Sequence, residues 1–333
     1  MSGDLKILIY GAGDMAGKHA AAFQRLSCAR VTAVANRSAG RAQKLCTDFE
    51  IPGYYTELSE ALEKEKPDIV SVCVPTAYHL RAAREAFAAG AHVITEKPIA
   101  LTIEDGVEMI EAARSADRKL SVIFNRRFNT VWEELHRRLP AIGSPVVYNT
   151  QEIRSIRPKR AMHTKSLNGG PVIDCCVHDF DMLLHSLGAA QSVFASGTVF
   201  GSNKPFLQGI DEYAVDTAHI HVELEHGNRA YLLYAWGFHP GPDYWQYREF
   251  MGPDGIIRLM GEFGREVQHY RKDGKLEIVY DLEENGHAVL IERFTEAVLN
   301  DGTVPVEPED AVEALKISLA ALRSVDSGRK ERP

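Results

Sequence analysis

Lys6-Ile7-Leu8-Ile9-Tyr10-Gly11-Ala12-Gly13-Asp14-Met15-Ala16-Gly17 is the stretch that decides the fold. Its apolar run predicts a buried strand, and the small residues behind it predict a tight turn that opens a helix. Gly11 permits the turn, Gly13 lets backbone approach a pyrophosphate, and Ala16, backed by Gly17, lets helix and strand pack closely. A pyrophosphate would rest on the amides at the helix N-terminus, beside Ala12, Asp14 and Met15. Taken alone, the pattern also fits an ordinary glycine-rich turn. Its strand–turn–helix setting, opening a βαβ unit, is what points to a dinucleotide.

Outward from this turn, strand and helix patterns alternate. Val31–Ala35, Ile69–Val74, His92–Thr95 and Leu120–Phe124 read as buried strands. Met15–Leu26, Leu80–Ala89 and Ile103–Ser115 read as helices, the last with a capping pattern in Thr102 and Asp105. Such alternation predicts a parallel sheet covered on both faces, hence an α/β domain over residues 1–124. After Phe124 the pattern changes to successive strands: Pro145–Arg154, Val193–Phe200, Thr217–Leu224, Ala230–Ala235, Gln246–Met251 and Gly255–Met260. In Thr217–Leu224, His219, His221 and Glu223 alternate with apolar residues, which suits a sheet with one wet face. Residues 125–333 are therefore expected to form a second, α+β domain on a large, mainly antiparallel sheet, closed by helices near Ala288–Leu299 and Pro308–Val325.

Bulk properties agree with a globular protein. The chain has 333 residues, more than one core usually serves, so two domains are expected. With 45% hydrophobic and 25% charged residues it shows no compositional disorder. A net charge of -8 argues against nucleic acid or an anionic membrane as partner. No stretch approaches the about 18 apolar residues of a membrane span. Five cysteines without regular spacing describe no disulfide framework, and the N-terminus lacks a secretory pattern, so the cytoplasm is the expected compartment.

Three further segments carry chemistry. The second strand ends in Asn36-Arg37-Ser38, where an acid would normally bind ribose hydroxyls. Arg37 and Ser38 suit a 2′-phosphate and favour NADP, whereas Asn36 can still bond a plain ribose, which keeps NAD open. Glu96-Lys97-Pro98 follows the strand His92–Thr95, at the sheet edge where open parallel sheets bind ligands. A lysine there suits proton transfer or carbonyl polarisation, Pro98 suits a cis bond, and the plainer reading is a surface lysine. Third, Gly169 to His185 reads as one largely apolar helix begun by Pro171. Asp174, His178, Asp181 and His185 would share a face of it. Three readings stay open for that stripe: a satisfied buried network, a metal site using His178, Asp181 and His185, or acid–base catalysis through Asp174 and His178. No tight ligand spacing supports the metal.

Taken together, these segments resemble the Gfo/Idh/MocA family, named for glucose–fructose oxidoreductase and inositol dehydrogenase. The resemblance spans essentially the whole chain. It rests on Gly11 to Ala16 with His19, Cys73-Val74-Pro75-Thr76 with His79, Gly90 to Pro98, Asn125-Arg126-Arg127-Phe128, and Gly169-Gly170 followed by Asp174 and His178. It implies an N-terminal Rossmann domain, a C-terminal substrate-binding and oligomerisation domain with an open sheet, and a catalytic set of Lys97, Asp174 and His178. It also implies hydride transfer between a nicotinamide dinucleotide and a secondary hydroxyl of a sugar, sugar acid or cyclitol. In that scheme His178 is the base, Lys97 hydrogen-bonds the reacting oxygen, and Asp174 holds both. Val74, Pro75, Thr76, His79, Glu96 and Asn125 would line the nicotinamide side, with Arg127 and Asp181 near the substrate. The family also implies a homo-dimer or homo-tetramer through the C-terminal sheet. Where many NAD-using members carry an acid, this chain has Asn36, so the cofactor is NADP or NAD, with NADP favoured.

The second domain should supply the substrate wall. Arg154, Arg157, Lys159, Arg160, His163 and Lys165 form a basic stretch, either a solvated loop or a contact with an acidic or heavily hydroxylated substrate. Trp236, His239, Tyr244 and Trp245 suit sugar rings, although core packing explains aromatic residues equally well. Two rival functions are a lyase or glycosidase that recycles a bound dinucleotide, and a dinucleotide-dependent sensor.

Overall fold

The computed structural model describes residues 4–157, 159–238, 245–260, 265–280, 282–283 and 285–333. His239 and Tyr244 lie outside the described residues. Two compact units are present: residues 1–125 with 286–312, and residues 126–285 with 313–333.

The first unit begins with β1 (Leu5–Tyr10), α1 (Asp14–Phe23), β2 (Ala29–Ala35), α2 (Ala39–Asp48), β3 (Gly53–Tyr55) and α3 (Leu58–Glu65). It continues through β4 (Ile69–Val72), α4 (His79–Ala88), β5 (His92–Thr95), α5 (Ile103–Ser115) and β6 (Leu120–Val122). The six strands pair in parallel in the order β3-β2-β1-β4-β5-β6, the doubly wound arrangement of a Rossmann domain. β4 is buried at every residue, which requires cover on both faces of the sheet. Thr102 caps α5 as expected, accepting from the Asp105 amide at 3.1 Å.

The second unit opens with α6 (Thr130–Arg138), β7 (Val147–Ser155), α7 (Arg160–His163), α8 (Lys165–Asn168), α9 (Pro171–Asp174) and α10 (Cys176–Leu187). β8 (Ala190–Thr198), β9 (Thr217–Leu224), β10 (Arg229–Phe238), β11 (Trp245–Gly252), β12 (Gly255–Met260), β13 (Glu266–Arg271) and β14 (Leu276–Val279) follow. The eight strands pair in the order β14-β13-β12-β11-β7-β10-β9-β8, antiparallel except for β7 beside β10. Along β9 the residues alternate as the sequence predicts, with Ala218, Ile220, Val222 and Leu224 buried. α10 covers the inner face, where Asp179 bonds to β7, β10 and β11. On strands of the other face Phe194 and Tyr231 are exposed, and the Tyr231 ring stacks on His221 at 4.7 Å.

The chain then returns to the first unit with α11 (Gly286–Leu299), which packs on α1, and ends in α12 (Pro308–Ser327). Among the described residues no helix is long and apolar enough to cross a membrane.

Candidate active site

In the first unit, the geometry of the glycine turn separates the roles of its two glycines. Gly11 has φ +122°, and a Cβ there would stand 2.3 Å from the backbone oxygen of Cys73. Only glycine lets β1 turn this close to the end of β4. Gly13 caps α1 without a side chain, and a Cβ there would meet nothing within 4 Å. Open space therefore faces amides that have no carbonyl within their own helix, which is the donor set a pyrophosphate needs. Ala12 and Met15 are half-buried beside it, Asp14 is exposed, and Ala16 is fully buried. A paired test follows. Gly11→Ala should lose about 1–3 kcal/mol in urea unfolding through strain. Gly13→Ala should keep its stability to within about 0.5 kcal/mol yet bind dinucleotide at least roughly tenfold more weakly in a fluorescence titration. Unchanged affinity in Gly13→Ala would remove the turn from the cofactor site.

At the end of β2, the Asn36 side-chain amide donates to the Ser38 carbonyl at 3.0 Å and tightens the turn. Arg37 and Ser38 are exposed, and the Arg37 guanidinium lies 5.5 Å above the Tyr78 ring. Such a group at the strand end fits a 2′-phosphate, and Asn36 fits a ribose.

Past β4, Val74 and Pro75 are half-buried and Thr76 is buried. His79 is buried between two carbonyls, with Nε2 2.9 Å from Val74 O and Nδ1 3.0 Å from Pro98 O. Burial lowers its pKa, and a neutral ring donates to one of the two carbonyls, so a single hydrogen bond from it can form at a time, to the loop after β4 or to the turn after β5. That turn contains the cis Lys97–Pro98 bond. Lys97 is half-buried, while Glu96 is buried and accepts from the Lys97 backbone N–H at 3.3 Å. His19 of α1 reaches Glu96 through Nε2 at 3.1 Å and the Ser71 hydroxyl through Nδ1 at 2.7 Å. Burial works against the His19 charge, but Cys73 and Glu96 push its pKa up to about 10. Burial likewise opposes the Glu96 charge, yet His19, His287 and Lys97 bring it down to about 2. A buried ion pair thus stands directly beneath Lys97 in the chain. Asn125 is buried just beyond β6.

In the second unit, the expected single helix from Pro171 to His185 is broken. α9 ends at Asp174, whose amide bonds to Gly170 O at 2.7 Å, and Cys175, with φ stretched to -110°, separates it from α10. The His178 amide then closes a shorter turn on Cys175 O at 3.1 Å. Asp174 and His178 therefore occupy successive helices, and a single helical stripe does not describe them. Asp174 is buried and His178 only partly so. Asp181 is buried and forked by Arg127, with Arg127 Nε 2.9 Å from Oδ2. His185 is exposed and meets the edge of the His136 ring at 5.1 Å. Among the described residues no group of three or more histidine, cysteine or acidic side chains is arranged to hold a metal.

A residue that the stripe argument passed over has four polar partners. Asp179 has no exposed surface, and Tyr148 donates to it at 2.6 Å, Arg126 at 3.0 Å, Arg248 at 3.3 Å, and Tyr234 as well. Burial opposes its charge, but Arg248 and Arg126 hold its carboxyl far below the usual range. Glu152, also buried, lies 3.5 Å from Arg248, 3.6 Å from Arg154 and 3.9 Å from Arg126. The Cys175 thiol donates to Glu152 at 3.2 Å and so ties the break between the helices to the sheet. A visible signal was available, because Asp179 is an acid on the apolar side of a helix that had to be buried. Of the predicted substrate contacts, Arg154 lies 5.0 Å above the Trp236 ring. His163 is buried and bonds the Arg157 carbonyl at 3.0 Å. Trp245 is exposed on β11.

Comparison with known proteins adds to this geometry. Residues 5–124 match the Gfo/Idh/MocA oxidoreductase family, NAD-binding Rossmann fold, and residues 140–331 match its C-terminal alpha/beta domain. The scyllo-inositol 2-dehydrogenase (NAD(+)) of Bacillus subtilis is 27% identical over 312 residues, 90% of this chain and 87% of that protein. The myo-inositol 2-dehydrogenase of Thermotoga maritima is 25% identical over 342 residues, 98% of this chain and 97% of that protein. A solved NAD binding oxidoreductase from Klebsiella pneumoniae superposes with a TM-score of 0.82 over 99% of this chain and 98% of that one. At 20% sequence identity this is a likeness of fold.

Proposed function

Because the chain belongs to the Gfo/Idh/MocA oxidoreductase family, we propose that it is an NAD(P)-dependent dehydrogenase oxidising a secondary hydroxyl of a sugar, sugar acid or cyclitol. The observation that carries this reading is the open space ahead of Gly13, fronting the amides of α1 in a sheet of dinucleotide-binding order. The two inositol dehydrogenases among the relatives support the substrate range.

A bound nicotinamide supplies the hydride acceptor. In this reading His178, partly accessible at the start of α10, takes the proton of the reacting hydroxyl as its carbon becomes a carbonyl. Lys97 donates a hydrogen bond to that oxygen and stabilises the negative charge that develops on it. Asp174 orients the base and the substrate. Arg127, fixed by its fork with Asp181, supports the wall beside them. Arg37 and Ser38 favour NADP, since a guanidinium pairs with a 2′-phosphate and gains nothing from a bare hydroxyl.

The test is a spectrophotometric panel of cyclitols, sugars and sugar acids with NAD⁺ and NADP⁺ separately, watching reduced nicotinamide appear. Turnover is expected, and Arg37→Ala should weaken NADP⁺ by roughly tenfold to a hundredfold while sparing NAD⁺. Substrate turnover without net reduction of added cofactor would replace this reading with a lyase or glycosidase. Dinucleotide binding without turnover would replace it with a sensor.

A further inference from the structure

Three elements of the first unit meet at the Glu96 side chain. His19 of α1, Ser71 of β4 and Glu96, directly after β5, are all buried. One imidazole joins them, with Nε2 3.1 Å from Glu96 Oε1 and Nδ1 2.7 Å from the Ser71 hydroxyl. The second carboxylate oxygen, Oε2, accepts from the Lys97 backbone N–H at 3.3 Å. The Glu96 backbone is held as well, since its N–H donates to Val72 O at 2.9 Å. A single carboxylate thus spans the ring behind it and the residue that follows it in the chain.

The groups around this carboxylate favour a charged pair. Burial opposes both charges, but Cys73 and Glu96 keep His19 protonated up to about pH 10, and His19 keeps Glu96 ionised down to about pH 2. An imidazolium donates from both nitrogens, so the bonds to Glu96 and Ser71 stand together. His287 of α11, whose ring lies 6.3 Å from that of His19, stays neutral, because burial brings its pKa to about 4 against the pull of Glu96. Lys18 and Lys97 are the other cations in this field. Fold stability does not call for two buried charges here, since a well-packed apolar pair of similar volume serves it as well or better. What the pair does have is a neighbour, the half-buried Lys97, whose own amide is bonded to the anion.

We propose that His19 and Glu96 are positioning residues for Lys97: the ring orients the carboxylate, and the carboxylate fixes the Lys97 backbone and favours its ammonium over its amine. This rests on the dehydrogenase reading above, in which that ammonium stabilises the developing oxyanion. The nearer anion holds a proton on the lysine, and the imidazolium behind it weakens that hold. The two charges therefore pull Lys97 in opposite directions. Glu96→Gln removes the nearer charge, whereas His19→Gln uncovers the carboxylate.

The pH profile of kcat/KM tests this, its alkaline limb reporting loss of the Lys97 proton. Glu96→Gln should move that limb to lower pH by about 0.5–1.5 units, and His19→Gln should move it to higher pH. Each variant should lose roughly tenfold in kcat/KM on its own, yet under about threefold more in a Lys97→Ala background. A limb that stays in place in either variant, or moves the same way in both, overturns the proposal. So does a full loss in the Lys97→Ala background, which would place the effect outside the lysine. Thermal unfolding shows whether each variant folds. Where one does not, the imidazole ¹⁵N shifts of the wild type at neutral pH decide: His19 protonated on both nitrogens sustains the pair, and a neutral ring overturns it. If no compound turns over, the dehydrogenase reading fails separately, and ¹³C NMR of reductively methylated Lys97 reads its proton directly. Opposite shifts in Glu96→Gln and His19→Gln then sustain the positioning, and an unmoved titration overturns it.

Discussion

Lys97→Ala is expected to bind dinucleotide within about threefold of the wild type while losing roughly 10²–10⁴ in kcat/KM, the span that proton-transfer and hydrogen-bonding groups contribute. The residue follows β5 directly, at the carboxyl edge of the parallel sheet where ligands bind. Its neighbour cannot take over the task, because Glu96 is turned inward to His19 and is an anion down to about pH 2. A carboxylate would repel the oxyanion that the ammonium stabilises. Fluorescence titration gives the binding half of the prediction and steady-state kinetics the other. Wild-type turnover in Lys97→Ala would strike lysine from the mechanism, and an equal loss of dinucleotide affinity would make it a cofactor contact only.

Asp179→Ala is expected to destabilise the chain by about 3–5 kcal/mol, because it leaves two buried guanidiniums facing each other without their carboxylate. For a chain of this size that corresponds to a fall in Tm of order 10 °C. Arg126 and Arg248 would share Glu152 alone, already 3.6 Å from Arg154, while Tyr148 and Tyr234 would lose their acceptor. The sign with pH follows from the depressed carboxyl. Its contribution is complete above the ordinary value of 3.8 and fades as pH falls below it. Thermal and urea unfolding at neutral pH measure the effect. A loss under about 1 kcal/mol would show that Glu152 suffices for all three arginines.

How far the sequence reached depends on the range of the interactions involved. The β1–turn–α1 unit was legible because its information is local: apolar run, glycine, helix start. So were the Thr102 cap and the alternation of β9, each set by neighbours a few residues apart. Short elements such as β3 and α3 escaped, since three to eight residues carry too little periodicity. The break at Cys175 escaped for another reason. Asp174 and His178 stand four residues apart, and nothing in that spacing shows that the Cys175 thiol is drawn to Glu152 on a distant strand. The charge network is non-local in the same way, because the pairing of β7 and β11 sets Glu152 near Arg248, and the packing of α10 and of the segment before α6 brings in Asp179 and Arg126. Reading the basic stretch from composition likewise could not separate Arg160 and His163, which bond the Gly209 and Arg157 carbonyls, from Arg154, which rests on the Trp236 ring.

The return of α11 to the first unit bears on how the protein is made. Residues 286–312 belong with residues 1–125, and α11 brings His287 to within 6.3 Å of the His19 ring on α1. A ribosome must translate residues 126–285 between the two, which takes about 8–32 s at roughly 5–20 residues per second. Through that interval the nascent first unit lacks the helix that packs on α1 and sets His287 beside His19. The six-stranded sheet can therefore form during synthesis well before the helix that completes its unit exists.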